Sequence, residues 1–434
     1  MLFGISVVLY AAGVARVGSV LWGDTLYYYA YTRSLVVDQD LNFINESFRV
    51  DGGFPHPPEI SPVTGLITNK FSVGAPLLWI PSFVVAQVAS WSWWGAQALW
   101  EVVKGLEPGR WQQFLQAVPQ PDGYDHITQF GVGLGAIGLS VLGLVAVFAA
   151  LQDWLQKVSR LSTALATRLA LIGAGVLYLT TQLFYYTSVD PLNSHSASFL
   201  LSSLLLWVTV RGLISGWTAK KAWLVGLLAG GLFLVRPQDV LVAAPVLVAL
   251  AFYVRENLLT RVGLIIRACL PILATLGLSQ AIVWYFFGQL GSPYLIRGEQ
   301  FSWFRPDFLR VLFSPSNGLF FFAPLTVVML AGVLRFVRQG NPAERRLGSV
   351  ALAVFCLQLY VIAAWGREIL GGPYGSRMFM SSLPWLAVGM LSWLEGLARL
   401  RGAQLRQFGW RWLWIVLAAG VNNLVQTVVM LVRF

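Results

Sequence analysis

Long apolar segments with few charges constrain this chain most. The 434-residue sequence is 57% hydrophobic and 11% charged, whereas a soluble domain carries about 25% charged residues. Too little polar side chain remains to cover such a chain in water, so the sequence indicates an integral membrane protein. Because lipid offers no hydrogen bonds, each crossing segment must satisfy its own backbone groups as a helix. The sequence therefore predicts an all-α polytopic membrane protein.

About eleven segments are long enough to cross roughly 30 Å of hydrocarbon. They cover residues 2–22, 127–151, 168–187, 196–214, 221–235, 239–254, 262–286, 318–337, 347–365, 379–398 and 411–432. The fifth and sixth flank Arg236-Pro237, and they form either two spans or one broken hairpin. The first carries Arg16 and has no convincing small-x-small cleavage site, so we expect a retained helix. We expect one transmembrane domain, residues 1–434.

Segment 74–100 is apolar enough to cross, yet it contains Pro76 and Pro81 and ends in a cluster of tryptophans. Tryptophan favours the membrane–water interface. If this segment lies on the surface, most Lys and Arg residues fall on one side, which is then cytoplasmic. We therefore predict a first external loop, residues 23–126, that contains amphipathic juxtamembrane helices. A crossing segment is the alternative, and it would turn the basic loops outward.

The first external loop opens with a carboxylate at the membrane edge. Asp24 follows the first span, and a Tyr-rich segment with Tyr27 leads from it to Asp38 and Asp40. Charges held at the edge of a membrane are costly, so they are functional candidates. Asp24 can serve as a general base. Asp38 and Asp40 can position a substrate or a divalent cation, or they are solvated turn residues.

Cationic residues lie at the ends of later apolar segments. Arg236 precedes Pro237, and Arg377 follows a Gly-rich turn. A guanidinium grips phosphate with two hydrogen bonds and stays charged, so both are candidates for phosphate binding. Snorkelling toward lipid headgroups is the alternative reading. Lys70, Arg297 and Arg367 are further candidates for the same pocket.

Two more residues complete the candidate set. His195 stands in a polar turn and can hydrogen-bond a sugar or phosphate, or serve the fold. Tyr374, like Tyr27, can stack on a sugar or anchor the chain at the interface. Both cysteines lie in apolar segments and the three histidines lack ligand spacing, so no metal site is predicted from them.

A series of motifs, in order along the chain, resembles the GT-C glycosyltransferases. The motifs are GDTLYYYAY and SLVVDQDLNFINE after the first span, KFSVGAPLLWIP at 70–81, VDPLNSHSASF at 189–199, GLLAGGLFLVRPQDVL at 226–241, SPSNGLFFFAPL at 314–325 and GGPYGSRMFMSSLP at 371–384. This superfamily includes the protein mannosyltransferases and the lipid A aminoarabinose transferase. One departure is Thr25, because many members carry two adjacent acids there. That departure weakens the expectation of a paired-carboxylate metal site.

The resemblance implies a sugar donor on polyprenyl phosphate and a hydroxyl acceptor on a lipid, a glycan or a protein. It implies that Asp24 acts as catalytic base while Arg377 and Arg236, with Lys70, Arg297 and Arg367, bind the donor phosphate. Asp38, Asp40, Tyr27, His195 and Tyr374 are then the candidate substrate contacts. We expect an integral protein of the plasma (inner) membrane with an external, periplasmic active site, surrounded by lipid and without a nucleic-acid partner. No cofactor is predicted, and a divalent cation stays open.

Two other functions compete with this expectation. A transporter or flippase for lipid-linked glycans would also place arginines and an acid at the membrane. A non-catalytic scaffold for glycan assembly would tolerate loss of Asp24. The long acidic first loop, for which a transporter has little need, favours the enzyme.

Overall fold

The computed structural model describes residues 2–49, 58–104, 110–253, 257–365, 374–400 and 402–433. Regular structure among these residues is helical. The α-helices are α1 Leu2–Val17, α2 Thr25–Arg33, α3 Ile44–Arg49, α4 Gly74–Val103, α5 Arg110–Ala117, α6 His126–Lys157, α7 Thr163–Thr180, α8 Leu183–Ser188, α9 Ser194–Ser215, α10 Ala219–Val235, α11 Ala244–Tyr253, α12 Leu258–Phe287, α13 Pro293–Ile296, α14 Phe308–Phe313, α15 Leu319–Phe322, α16 Leu325–Gln339, α17 Pro342–Ala364, α18 Leu383–Arg399 and α19 Gly402–Arg433. A π-helical turn, Ser34–Asp38, extends α2, and 3₁₀ turns cover Pro237–Val242 and Arg377–Phe379.

Seven of the described helices are long and apolar enough to cross a membrane. They are α4, α6, α7, α9, α12, α17 and the part of α19 from Arg411 to Met430. The predicted all-α membrane class is therefore confirmed, whereas the count of about eleven spans is not. Helices α1, α10, α16 and α18 have 15 to 17 residues, which is shorter than the roughly 20 residues that a helix needs to cross a bilayer.

The interruption at Arg236-Pro237 is present, and its cause is local. Arg236 ends α10 in an extended conformation, with φ −154° and ψ 114°. Clash with the proline ring disfavours the helical conformation for the preceding residue. The chain therefore leaves α10 at Arg236, makes the 3₁₀ turn and continues as the ten-residue α11. This break places Arg236 at a helix end, where its side chain is buried.

Helix α9 runs parallel to the carboxy-terminal half of α6. A Cβ on Gly143 would lie 2.6 Å from the Phe199 ring, so the two helices approach closely near the start of α9. Ten residues further along α6, the Asp153 carboxylate accepts hydrogen bonds from Trp207 and Arg211 of α9. Since both helices advance together, the start of α9 lies beside the middle of α6.

Helix α4 accompanies the other half of α6 and runs antiparallel to it. Gly135 of α6 faces Ser82, and Ser90 donates a 2.7 Å hydrogen bond to Asp125, the N-cap of α6. Helix α4 begins at Gly74, which packs against the backbone at the end of α10. It is one continuous 30-residue helix that starts at the level of Arg236 and leads away from α9. Its placement on the membrane surface stays a prediction.

Helices α16 and α18 cross where two glycines face each other. A Cβ on Gly389 would overlap the Met329 carbonyl oxygen, whereas a Cβ on Gly396, on the same helix, would meet open space. We expect Gly389→Ala to lower the unfolding free energy by roughly 1–3 kcal/mol through overpacking. Gly396→Ala, the matched control, keeps or raises stability because Ala favours helix. Thermal unfolding of both purified variants in detergent measures the difference, and equal melting temperatures would contradict this packing.

Candidate functional site

Five of the predicted site residues meet in one small cavity. Asp24, Lys70, His195, Arg236 and Arg377 line a space of about 100 Å³. The other lining residues are Tyr28, Phe71, Asn193, Ser194, Gln238, Tyr294, Trp365 and Met378. These residues come from separate parts of the chain, and the cavity forms where α9 begins and α10 and α17 end. One carboxylate and three cations thus share a single space.

An ion pair between Asp24 and Arg377 closes one wall of the cavity. Arg377 Nη2 lies 2.7 Å from Asp24 Oδ2. Asp24 stands at the start of α2 but makes no capping hydrogen bond with its side chain, so its carboxylate is available to reach Arg377. The Asp24 side chain is 40% exposed and that of Arg377 16%. The pair therefore has an open acidic end and a buried basic end.

Arg377 retains hydrogen-bonding capacity despite this pair. Its Nε is buried and finds no hydrogen-bond partner among the described residues. Burial opposes the charge of Arg377, but Asp24, Tyr186 and Asp190 outweigh burial and raise its pKa. Leaving a buried donor unpaired is costly, so this guanidinium is a strong candidate for binding an anion.

His195 and Asp239 hold Arg236. Arg236 Nη1 lies 3.2 Å from His195 Nδ1 and 4.0 Å from an Asp239 carboxylate oxygen. Because a guanidinium can only donate, His195 must accept at Nδ1 and carry its proton on Nε2. Asp239 is itself fixed by hydroxyl donors, Ser198 at 2.6 Å and Ser381 at 3.0 Å. Arg236 is thus held by a neutral imidazole and a buried carboxylate.

Lys70 has a buried acidic partner as well. Its Nζ donates to Glu299 Oε1 over 3.2 Å, and Trp365 Nε1 donates to Glu299 Oε2 over 3.1 Å. The ammonium also lies 5.8 Å from the centre of the Tyr294 ring. Each of the three cavity cations therefore has a carboxylate neighbour, and a bound anion must compete with it.

A further acid, Asp190, lies just behind this wall. It is 6% exposed and sits in the turn between α8 and α9. Burial raises its pKa to about 6, although the positive charge of Arg377 opposes the rise. Asp190, Asp239 and Glu299 were not predicted as site residues. Asp239 could have been found from the sequence, because it is an acid three residues after Arg236. Asp190 and Glu299 could not, because their cationic neighbours are distant in sequence.

Three predicted charged residues lie outside the cavity, namely Arg297, Asp38 and Asp40. Arg297 pairs with Glu59. Asp38 pairs with Arg33 and accepts a 2.7 Å hydrogen bond from Asn45. Arg33 is buried and also pairs with Glu46, so Asp38 helps to fold the first loop.

Asp40 lies outside the cavity too, where it accepts a 2.8 Å hydrogen bond from Ser34 and one from the Asn42 backbone. Neither Asp38 nor Asp40 is brought to the cavity, because each organises its own turn. Arg367 lies outside the described residues.

The two predicted tyrosines do not line the cavity either. The Tyr27 ring packs against Phe71 at 5.3 Å. Tyr374 is fully buried, stacks on Tyr185 at 4.5 Å and donates its hydroxyl to Asn423. Its contacts are those of a core residue, so the structure does not support stacking of Tyr374 on a sugar. Tyr28, which donates to Ser194, takes the place beside the cavity.

No metal cluster is found in the part of the chain that the structure describes: no three His, Cys, Asp or Glu side chains group to hold an ion. No protein-family model and no curated protein matches the chain. The functional interpretation therefore depends on the motifs and on the geometry of this cavity.

The raised pKa of Asp190 makes stability depend on pH. An acid that holds its proton more tightly in the folded protein than in the unfolded chain destabilises the fold as pH rises. This loss develops between 3.8 and about 6, the two pKa values of Asp190, and is complete above 6. We expect the melting temperature of Asp190→Asn to rise relative to that of wild type as pH increases from 4 to 7. Asp40→Asn is the control, and a pH-independent gap for Asp190→Asn would contradict the assignment.

Proposed function

We propose that this protein is a membrane glycosyltransferase that moves a sugar from a polyprenyl-phosphate donor to a hydroxyl acceptor. The observation that carries the proposal is one half-exposed carboxylate, Asp24, facing three cations in the same cavity. Transfer from a phosphate-linked sugar needs a base for the acceptor and positive charge for the leaving phosphate. The cavity contains both kinds of group within direct reach of one another.

The cations are suited to the phosphate. Arg377 and Arg236 can each offer planar N–H donors to phosphate oxygens, and Lys70 adds a point charge. All three are held in place by acids, Asp24, Asp239 and Glu299. Charges that are already oriented need little rearrangement when negative charge develops on the leaving group, which is the main source of electrostatic catalysis.

The base becomes available when the donor binds. In the cavity, Asp24 is paired with Arg377, and a phosphate that binds Arg377 competes for the same donor. Asp24 is then released to accept the proton of the acceptor hydroxyl. The acceptor oxygen bonds to the anomeric carbon as the bond from that carbon to the phosphate oxygen breaks. Attack opposite the leaving phosphate inverts the anomeric centre.

An apolar groove supports a donor that carries a lipid chain. It has a volume of about 1000 Å³ and lies between α1, α4 and α6, with Val20, Pro81, Phe130 and Leu134 among its lining residues. Three residues separate Val20 of the groove from Asp24 of the cavity. A long apolar chain in this groove would bring an attached phosphate toward the cations. With α4 on the membrane surface, as predicted from the sequence, the positive-inside rule supports an external site in the plasma membrane.

Transfer assays test the proposal. Membranes with wild-type, Asp24→Asn or Asp40→Asn protein receive a panel of radiolabelled polyprenyl-phosphate sugars and a native lipid and glycan extract as acceptor. We expect wild type and Asp40→Asn to transfer label, and Asp24→Asn to be slower by about 10²–10⁴-fold, as for loss of a general base. Equal transfer by Asp24→Asn would remove Asp24 as the base. Absence of transfer from every donor, with lipid-linked glycan moved across the membrane instead, would favour a flippase.

A further inference from the structure

The loop between α13 and α14, together with α14, exposes a run of large apolar side chains. Phe304 is fully exposed, Leu309 is 73% exposed, Phe313 57% and Trp303 44%. Arg305, also exposed, stands among them. Contiguous exposed apolar side chains of this size mark a surface that another phase or molecule covers. The question is what covers this one.

Backbone hydrogen bonds fold the loop back along α17. The Ser302 N–H donates to the Ala364 carbonyl at 2.6 Å, and the Tyr360 hydroxyl donates to the Trp303 carbonyl at 2.7 Å. Tyr360 precedes Ala364 by four residues, which is about 6 Å along a helix. Side chains lean toward the amino terminus of their helix. The Tyr360 hydroxyl therefore holds Trp303 level with Tyr360 along α17, or closer to the middle of that helix.

The face of α17 that the loop follows is open. Tyr360 is 40% exposed, Leu357 is 36% exposed and Cys356 is also exposed. Helix α17 is one of the helices long and apolar enough to cross a membrane. Where such a helix crosses a membrane, its exposed face contacts lipid, because no described residue covers that face. The loop tip therefore runs beside a lipid-facing surface.

We infer that residues 301–313 form an aromatic wedge inserted into the lipid layer at the end of α17 nearest the cavity. The composition fits this position, since aromatic rings and arginine favour the boundary between headgroups and acyl chains. The wedge also contacts the cavity wall. The Phe301 ring stacks on Trp303 at 5.0 Å and on Trp365 at 6.1 Å, and Trp365 lines the cavity. Stacked rings thus connect the lipid to the cavity, whatever reaction occurs there.

Spin labels in reconstituted bilayers test the insertion. Three single-cysteine proteins are compared. Two of them carry Phe304→Cys or Gln120→Cys in a background with Cys269→Ser and Cys356→Ser. The third carries Cys269→Ser alone and keeps Cys356 as the lipid reference. Gln120 is an exposed polar residue in the loop before α6 and serves as the water reference. Power saturation measures access of each label to oxygen, which concentrates in lipid, and to a water-soluble nickel chelate. Because Phe304 is fully exposed, its replacement removes no packing contact.

We expect the label at position 304 to match the one at Cys356, with several-fold higher access to oxygen than to nickel. A label at 304 that matches the one at 120 would overturn the inference. Should the cysteine-free background fail to fold, quenching by brominated lipids compares wild type with Trp303→Phe. If Trp303 lies in lipid, brominated lipids quench a smaller fraction of the tryptophan fluorescence in Trp303→Phe than in wild type. An unchanged quenched fraction contradicts the wedge.

Discussion

The ion pair between Asp24 and Arg377 is the contact on which the rest of the site depends. It joins residues 353 positions apart in sequence, and so fixes the start of α2 against the turn that leads into α18. The pair brings together two parts of the cavity wall, which also contains aromatic and polar side chains. Removing one partner of such a pair leaves a partly buried charge without compensation, which costs more than the pair itself contributes. When Asp24 is replaced by Asn, an anion bound in the cavity can supply that compensation.

The same rule repeats around the cavity. Arg236 faces Asp239, and Lys70 faces Glu299, so every cation carries an acid that keeps it in place and moderates its charge. Asp239 and Glu299 are buried, whereas Asp24 is half-exposed. Of the three acids, Asp24 is the one exposed enough for the proposed acceptor to reach. Burial thus distinguishes the proposed base, Asp24, from the two buried acids, although all three carboxylates face cations.

Much of this site could be predicted, because charges at the ends of apolar segments stand out. Asp24, Arg236 and Arg377 were recognised in this way. Asp190 and Glu299 were not, because their cations lie far away in the chain and only the fold brings them together. Asp38 and Tyr374 were placed in the site because sequence does not distinguish a residue facing a cavity from one facing its own loop or core. The count of about eleven spans is not confirmed, because α1, α10, α16 and α18 are shorter than the roughly 20 residues that cross a bilayer.

Equilibrium binding of a short-chain polyprenyl phosphate tests the central claim most directly. Wild-type protein in lipid nanodiscs is compared with Arg377→Gln and Asp24→Asn, with melting temperatures to verify folding. The account predicts that Arg377→Gln loses most of the affinity, whereas Asp24→Asn binds as tightly as wild type or more tightly, because the competing carboxylate is gone. Equal affinity of wild type and Arg377→Gln, or weaker binding by a folded Asp24→Asn protein, would show that this cavity does not hold the phosphate in the way described.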